Sequence, residues 1–91
     1  MFYLVSYDIP ETRRRTKLAK ILEDFGDRVQ YSVFECILDE KLLGEMIKRI
    51  QEIIIAEDDS IRIYSICAGC EKRIEVMGKG KVSKIENIYV I

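Results

Sequence analysis

Apolar residues occur in two different patterns in the first third of this chain, a continuous run and then a repeat at intervals of three and four residues. Residues 2–7 are mostly aromatic or β-branched and show no helical spacing, which predicts a buried strand that stops at Asp8. After Pro10, apolar residues recur at three- and four-residue intervals, which predicts an amphipathic helix ended by Gly26. These apolar residues are Leu18, Ile21, Leu22 and Phe25.

The second half of the pattern repeats the change from strands to a helix. Valine, phenylalanine, tyrosine and isoleucine dominate two predicted strands, 28–31 and 33–38, although one bulged strand would have the same composition. Asp39 is a candidate N-cap for a second helix with one wide apolar stripe. That stripe consists of Leu43, Met46, Ile47, Ile50, Ile53 and Ile54. Residues 60–67 alternate, which predicts a fourth strand.

The remaining residues predict an extension beyond a two-helix fold. Residues 68–73 predict a turn, residues 74–78 a short fifth strand, and residues 85–91 a final strand. The order β-α-β-β-α-β predicts the ferredoxin-like α+β fold, an antiparallel sheet with two helices on one face. We expect one domain, with a ferredoxin-like part at 1–78 and a C-terminal extension at 79–91 that carries a dimer- or partner-contacting strand.

The first strand is apolar on both of its faces, with Phe2 and Leu4 on one and Tyr3 and Val5 on the other. Two helices cover only one face of a sheet, so the opposite face also needs to be buried, and an exposed apolar patch usually marks an interface. The pattern therefore predicts a symmetric homodimer through the open sheet face, with the C-terminal strand covering a sheet edge.

Composition limits the classes of protein to which the chain can belong. Its 91 residues are 48% hydrophobic and 34% charged with a net charge of -1, which excludes a disordered chain and a globally basic nucleic-acid coat. No apolar stretch reaches the roughly 18 residues that span a bilayer, and no signal peptide is evident, so we expect a cytoplasmic protein without a membrane partner. Three cysteines and no histidine argue against a disulfide framework and a mixed Cys/His zinc site.

Asp8 is the first candidate for chemistry, because it follows a buried strand directly. Asp8 and Glu11 have the spacing of a capping box with Pro10 in the first turn, so a purely structural role is open. A lone aspartate is also a poor site for Mg²⁺, which is held by one or two carboxylates plus waters and phosphates. In a homodimer, however, two copies of Asp8 could share the cation at the interface and offer it to a phosphodiester.

A basic cluster follows Asp8 on the predicted first helix. Two readings are open, a solvated helix face and a phosphate-binding site. Cations near a helix N-terminus are electrostatically unfavourable unless an anion binds, which favours phosphate binding. The cluster consists of Arg13, Arg14, Arg15, Lys17 and Lys20, of which Arg13, Lys17 and Lys20 share one face.

Two further motifs give weak signals. Cys67 and Cys70 form a CxxC pair with no second pair, and we expect small buried residues at a turn, with a disulfide or a shared metal as the alternative. Gly78 and Gly80 lie in a basic loop that lacks the length and context of a P-loop. The tyrosines and phenylalanines at strand spacing lack the signature of an RNA-recognition module.

Taken together, these residues resemble the small CRISPR-associated adaptation proteins of the Cas2 family over nearly the whole chain. The resemblance rests on Ser-Tyr-Asp-Ile at 6–9, on the basic first helix that ends before Gly26, on the run RVQYSVFEC at 28–36, and on DSIRIY at 59–64. Each motif alone is weak, but the run at 28–36 between two predicted helices is specific.

The resemblance implies a homodimer that holds duplex prespacer DNA with the CRISPR integrase, and a magnesium-dependent endonuclease activity on RNA or DNA. It implies a metal-binding and catalytic role for Asp8, with Tyr7 and Phe34 in support, and docking of the integrase by the strand that ends at 88–91. The nucleic-acid-binding candidates are then Arg13, Arg14, Arg15, Lys17, Lys20 and Arg28.

The nature of the activity stays open at this point. One hypothesis is a DNA-binding scaffold or non-catalytic adaptor, a second is a metal-dependent phosphodiesterase, and a third is a toxin-type ribonuclease of the same fold. One acidic residue per chain and no histidine leave no evident general base, so cleavage would depend on a metal-activated water.

Overall fold

A computed structural model of the chain describes residues 1–82. It contains a four-stranded antiparallel sheet in the order β2-β3-β1-β4, which confirms the ferredoxin-like α+β fold. The elements are β1 (Phe2–Asp8), α1 (Thr12–Glu23), β2 (Asp27–Gln30), β3 (Val33–Ile37), α2 (Glu40–Gln51), β4 (Ser60–Ile66) and the single turn α3 (Ala68–Glu71). The helices found in residues 1–82 are too short or too polar to span a bilayer.

The core lies between the central strand and the first two helices. Successive side chains of a strand point to opposite faces, so Tyr3, Val5 and Tyr7 of β1 share one face. They are buried in a single cluster with apolar residues of α1 and α2, such as Leu22 and Met46, both 0% exposed. The two predicted apolar stripes therefore pack on one face of the sheet, and the position of β1 at its centre fixes where Asp8 emerges.

The start of α1 differs from the capping arrangement that Asp8 and Glu11 allow. Asp8 is the last residue of β1, where it pairs with Ser60 of β4, and α1 begins only at Thr12. Glu11 is the N-cap, and its carboxylate accepts hydrogen bonds from the backbone N–H groups of Arg13 and Arg14. Pairing with a distant strand thus keeps Asp8 extended, and the capping role belongs to Glu11.

Gly26 does not end α1 in the way the sequence predicts. The helix stops at Glu23 with Asp24 as a right-handed C-cap, and Gly26 is not among the glycines with positive φ in residues 1–82. Its role is close packing instead. A Cβ at Gly26 would lie 2.6 Å from the Cys36 Sγ atom and would also collide with the Glu35 carbonyl oxygen on β3.

The hairpin β2–β3 is confirmed, with its turn at Tyr31 and Ser32 and a register irregularity between Arg28 and Gln30. The predicted N-cap of α2 is also confirmed, because Asp39 Oδ1 accepts a 2.8 Å hydrogen bond from the Leu42 backbone N–H.

After β4, two predictions are wrong. The predicted turn at 68–73 contains the short helix α3. Residues 74–78 form no strand, because a strand requires a ladder partner and these residues are in none of the three pairings of the described sheet. Gly78 then has a φ of 82°. The predicted final strand at 85–91 lies outside the described residues, and the division between 1–78 and 79–91 stays a prediction.

Candidate nucleic-acid interface

Three basic side chains form a row on the exposed face of α1. Arg13, Lys17 and Lys20 are exposed, and with Glu11 and Thr16 they line a shallow, open depression. Residues three and four positions apart lie on the same side of a helix, so the predicted shared face is confirmed. In the described part of the chain, no hydrogen bond or ion pair engages the side chains of these three residues. We call Arg13, Lys17 and Lys20 the cation row.

Arg14 is directed away from the cation row, onto Asp59 at the end of the α2–β4 connection. Its Nε and a terminal nitrogen donate to the two carboxylate oxygens of Asp59 over 2.9 Å and 3.1 Å. The Asp59 side chain is 0% exposed and also accepts from the Ile55 backbone N–H at 2.9 Å. The Arg14 guanidinium, and then the Ile55 N–H, hold the pKa of Asp59 below its usual value. Arg14 therefore ties the start of α1 to the entrance of β4.

Arg15 braces the connection between β1 and α1. One terminal nitrogen donates to the carbonyl oxygens of Ile9 at 2.9 Å and Pro10 at 3.3 Å, and the other donates to the Thr12 hydroxyl at 3.2 Å. The five predicted cations thus divide into three exposed ones and two that hold the fold. Binding of nucleic acid by Arg14 and Arg15 stays a prediction.

Asp8 is the exposed last residue of β1 and lies next to the β1–α1 connection. Within residues 1–82, no group of three or more acidic, cysteine or histidine side chains could hold a metal ion. Within residues 1–82, Asp8 is therefore not part of an acidic cluster, and the binding of Mg²⁺ by Asp8 stays a prediction.

A second cationic feature joins β1 to the β2–β3 hairpin. Arg28 donates from a terminal nitrogen to the Tyr7 hydroxyl at 3.2 Å, and its guanidinium carbon lies 5.5 Å from the centre of the Phe34 ring. Tyr7 and Phe34 are buried and their ring centres are 6.4 Å apart. The structure therefore brings together Tyr7, Arg28 and Phe34, with the two aromatic residues as the support and Arg28 as the exposed cation.

Two residues of this region were not found from the sequence. Tyr31 is 80% exposed at the hairpin turn, and its ring centre lies 5.8 Å from the Arg28 guanidinium carbon. An aromatic residue three positions after an arginine was the available signal, but the sequence pattern predicts Tyr31 only as the end of the strand 28–31. Asp59 was missed because its partner Arg14 is 45 positions away, and no local pattern marks such a pair.

The open face of the sheet is made by the even-numbered residues of β1 and their strand partners. Leu4 pairs with Glu35 of β3 and Tyr64 of β4, and Phe2 pairs with Ile66 of β4. Phe2 is 1% exposed, whereas Tyr64 remains 46% exposed. The homodimer predicted through this face stays a prediction.

The cysteines differ from the small buried residues that the sequence predicts at the CxxC motif. Cys67 and Cys70 are both exposed, Cys67 as the N-cap of α3 and Cys70 within it. Cys36 is the buried cysteine, and its burial, with Asp27 and Glu35 nearby, raises the pKa of its thiol to about 12. The reactive thiols of the described chain are therefore those at 67 and 70.

Known proteins share this arrangement of sequence and fold. The family described as CRISPR associated protein Cas2 matches residues 1–74. A relative from Chloroflexus aurantiacus, named CRISPR-associated endoribonuclease Cas2 1, is 43% identical over 93 residues, which cover 100% of each chain.

Two solved structures have similar backbones. The crystal structure of Streptococcus pyogenes Cas2 at pH 6.5 is 36% identical, with a TM-score of 0.75, 86% of this chain and 100% of that chain being covered. A chain of a partial Cas6-RT-Cas1–Cas2 complex is 30% identical, with a TM-score of 0.66, 84% of this chain and 89% of that chain being covered. The match to the family over most of the sequence, together with identity along the full length of a relative, shows that this chain belongs to the CRISPR-associated Cas2 family.

Proposed function

We propose that this chain is a CRISPR adaptation protein that acts as a homodimeric scaffold and holds duplex prespacer DNA together with the CRISPR integrase. The observation that carries the proposal is the cation row, three exposed basic side chains with no partner in residues 1–82. Lysine and arginine contacts to phosphates supply most of the affinity for nucleic acid without reading its sequence. Such a surface suits a protein that must hold duplexes of any sequence.

The distribution of charge supports phosphate binding over a merely solvated helix. The chain carries a net charge of -1, so a local surface must provide the attraction for DNA. Arg14 is neutralised by Asp59, whereas Arg13, Lys17 and Lys20 are left unpaired on one face in the described chain. Arg13 lies in the first turn of α1, where an unpaired cation is stabilised when an anion binds, and Lys17 and Lys20 continue the row towards the last turn.

The open sheet face supports the homodimer in this proposal. Leu4 lies at its centre beside the half-exposed Tyr64, and Val33 and Ile37 of β3 are only partly buried. Packing two copies of this face together would remove apolar area from water, which is favourable by about 25 cal/mol per Å². A two-fold axis through the face would also bring two copies of α1, and so two cation rows, into one particle.

The integrase partner is proposed from one similar structure. The chain of the partial Cas6-RT-Cas1–Cas2 complex shares 30% identity with this chain, and that assembly contains a Cas1 protein. We propose a Cas1-type integrase as the partner here, bound by residues outside the cation row so that DNA and integrase can bind at once.

Light scattering coupled to size exclusion tests the scaffold proposal. The purified chain, a Cas1-type integrase and a short duplex are run singly and together. The expected result is a dimer alone and one particle that contains all three components when mixed. A monomer at micromolar concentration, or an integrase complex that takes up no duplex, would contradict the proposal.

Metal-dependent cleavage is the second candidate, because the relative from Chloroflexus aurantiacus is named an endoribonuclease. Asp8 is the residue that would hold a divalent cation, one carboxylate from each copy of the dimer. When bound, Mg²⁺ would supply a Lewis acid for a phosphodiester. The exposed position of Asp8 at a strand end leaves its carboxylate accessible to a second chain and to a ligand.

The substitution Asp8→Asn separates the two candidates. We expect it to leave the dimer and duplex binding intact, because the Asp8 residue is exposed and its side chain makes no described hydrogen bond, and to abolish cleavage that depends on Mg²⁺. Glu57→Gln, at another exposed acid, is the matched control. Cleavage of RNA or DNA that Asp8→Asn leaves unchanged would exclude Asp8 as a catalytic residue, with the scaffold proposal unaffected.

A further inference from the structure

Two thiols lie exposed on the single turn that follows β4. Cys67 is the N-cap of α3 with extended backbone angles of -69° and 163°, and Cys70 is the third residue of the turn. The backbone N–H of Glu71 donates to the Cys67 carbonyl oxygen at 2.8 Å, which closes the turn. Both thiols are free and accessible, whereas Cys36, the third cysteine, is buried.

The spacing of the two cysteines is suited to a disulfide within one chain. Positions three apart on a helical turn have Cα atoms about 5 Å apart, from a rise of 1.5 Å and 100° per residue. Disulfides join Cα atoms separated by about 4.4–6.8 Å. Between the cysteines lie Ala68 and Gly69, and a Cβ added at Gly69 would meet nothing within 4 Å. A disulfide could therefore close with little movement of the backbone, and a reagent could reach both sulfurs.

The two thiols also differ in acidity. The Cys70 backbone N–H and then its thiol, acting on the Cys67 sulfur, lower the pKa of Cys67 below its usual value. The hydrogen bond between the two thiols, and then the charge of Cys67, raise the pKa of Cys70. Thiolates are the nucleophiles in exchange with disulfides, so Cys67 is the thiol that attacks first and Cys70 the one that resolves.

We propose that Cys67 and Cys70 are a redox-active dithiol, which the disulfide of a low-molecular-weight thiol oxidises to an intrachain disulfide. The Cys67 thiolate attacks one sulfur of the small disulfide, whose S–S bond breaks and releases one thiolate. The Cys70 thiolate then attacks the Cys67 sulfur and releases the second small thiolate. Two protein thiols are oxidised, one small disulfide is reduced to two small thiols, and the protons of the cysteines pass to the released thiolates.

The position of the dithiol gives the disulfide a structural consequence. Backbone hydrogen bonds run from Lys72 to Ala68 at 3.3 Å, from Arg73 to Cys70 at 3.0 Å and from Ile74 to Glu71 at 3.2 Å. These hydrogen bonds connect residues 72–74, which follow the turn, to the turn that carries the two cysteines. Oxidation would fix this turn covalently and so restrict the path of the segment after β4. This inference is independent of nucleic-acid binding and does not rest on the scaffold proposal.

A redox titration of the full chain tests the dithiol. The protein is equilibrated with mixtures of glutathione and glutathione disulfide, quenched with acid and alkylated with N-ethylmaleimide. Trypsin cleavage after Arg62 and Lys72 places both cysteines in the peptide 63–72, apart from Cys36. As the mixture becomes more oxidising, we expect this peptide to lose both N-ethylmaleimide groups together, in one two-electron transition. The peptide should then be two hydrogen atoms lighter than its unalkylated dithiol form, while Cys36 stays a thiol.

Two single variants test the order of the steps. We expect Cys70→Ser to accumulate a mixed disulfide of glutathione on Cys67, because the resolving thiol is missing. Cys67→Ser should form its adduct more slowly than Cys70→Ser, because the backbone N–H at position 70 still lowers the pKa of Cys67 in Cys70→Ser, whereas no group in residues 1–82 lowers the pKa of Cys70. Both positions are exposed, so unfolding by urea serves as the check that the variants fold as the wild type does.

A spacing variant provides the matched control. Cys67→Ala combined with Ala68→Cys keeps two exposed cysteines but places them two positions apart, where side chains on a helix do not face each other. It should form glutathione adducts and no intrachain disulfide. Disulfides between chains in the wild type, stable double adducts on the peptide 63–72, or equal rates for the two single variants would overturn the proposal.

Discussion

Replacing Arg13, Lys17 and Lys20 by glutamine removes the cation row without breaking any hydrogen bond or ion pair described for residues 1–82. Glutamine has a helix propensity close to those of lysine and arginine, so α1 should persist. Each phosphate contact contributes about 0.9 to the slope of log affinity against log salt, so one lost row lowers the slope by about 2.7. If both rows of a dimer contact the duplex, the slope falls by about 5.4.

The same arithmetic gives the loss of affinity. Raising the salt concentration fourfold weakens each phosphate contact about 3.5-fold, and three contacts together about 40-fold. Over that range of salt, the affinity of the wild type should fall by a factor about 40 times larger than that of the triple variant, for each row that contacts the duplex. Fluorescence anisotropy of a labelled short duplex, titrated at several salt concentrations, measures both slopes.

The control variant removes three charges from other surfaces. Lys41, Lys48 and Lys72 are exposed on α2 and after α3, and changing them to glutamine alters the net charge by the same amount. We expect the control to retain a slope close to that of the wild type. Phosphate binding by this row would be refuted if the triple variant lowered the slope by less than about 0.9, the value for one phosphate contact. An equal fall in the slope of the control variant would also refute it.

Three further predictions concern the fold and the cysteines. Gly26→Ala should lower the free energy of unfolding by about 1–3 kcal/mol in urea titrations, because its new Cβ meets the backbone of β3; an unchanged midpoint would contradict this. Asp59→Asn should destabilise the protein most near neutral pH. The lowered pKa of Asp59 makes the carboxylate stabilising above its usual value of 3.8, and that contribution disappears as the pH falls through the folded-state pKa. Urea unfolding from pH 7 to acid tests this, and a pH-independent difference would refute it. Finally, a thiol reagent at neutral pH should label Cys67 and Cys70 quickly and Cys36 only after unfolding, because the Cys36 pKa is raised to about 12 and the side chain is buried.

The parts of the fold that the sequence predicts are those with local signals. The apolar intervals of α1 and α2, the Asp39 N-cap and the alternation of β4 all depend on residues within a few positions of one another. The predicted fifth strand at 74–78 is wrong because strand propensity cannot form a ladder without a partner strand. Glu11 replaces Asp8 as the cap because β4 pairs with the end of β1, a contact across 52 positions of sequence.

The candidate site shows the same division. Spacing alone identified the shared face of Arg13, Lys17 and Lys20, since helical periodicity fixes it. Spacing could not show that Arg14 is bound to Asp59, because that contact depends on how the α2–β4 connection folds back over α1. The buried support of Arg28 by Tyr7 likewise required the sheet, since Tyr7 lies on β1 and Arg28 on β2, two strands away.

Gly26 follows the helix that carries the cation row, and its missing side chain lets this segment lie directly against the backbone of β3. An added Cβ would collide there with the Glu35 carbonyl oxygen. A duplex that binds as proposed would meet cations whose backbone spacing the folded helix sets before contact, so binding would have to order side chains only. Conformational entropy that a flexible basic segment would lose on binding is, in this protein, already lost when the chain folds.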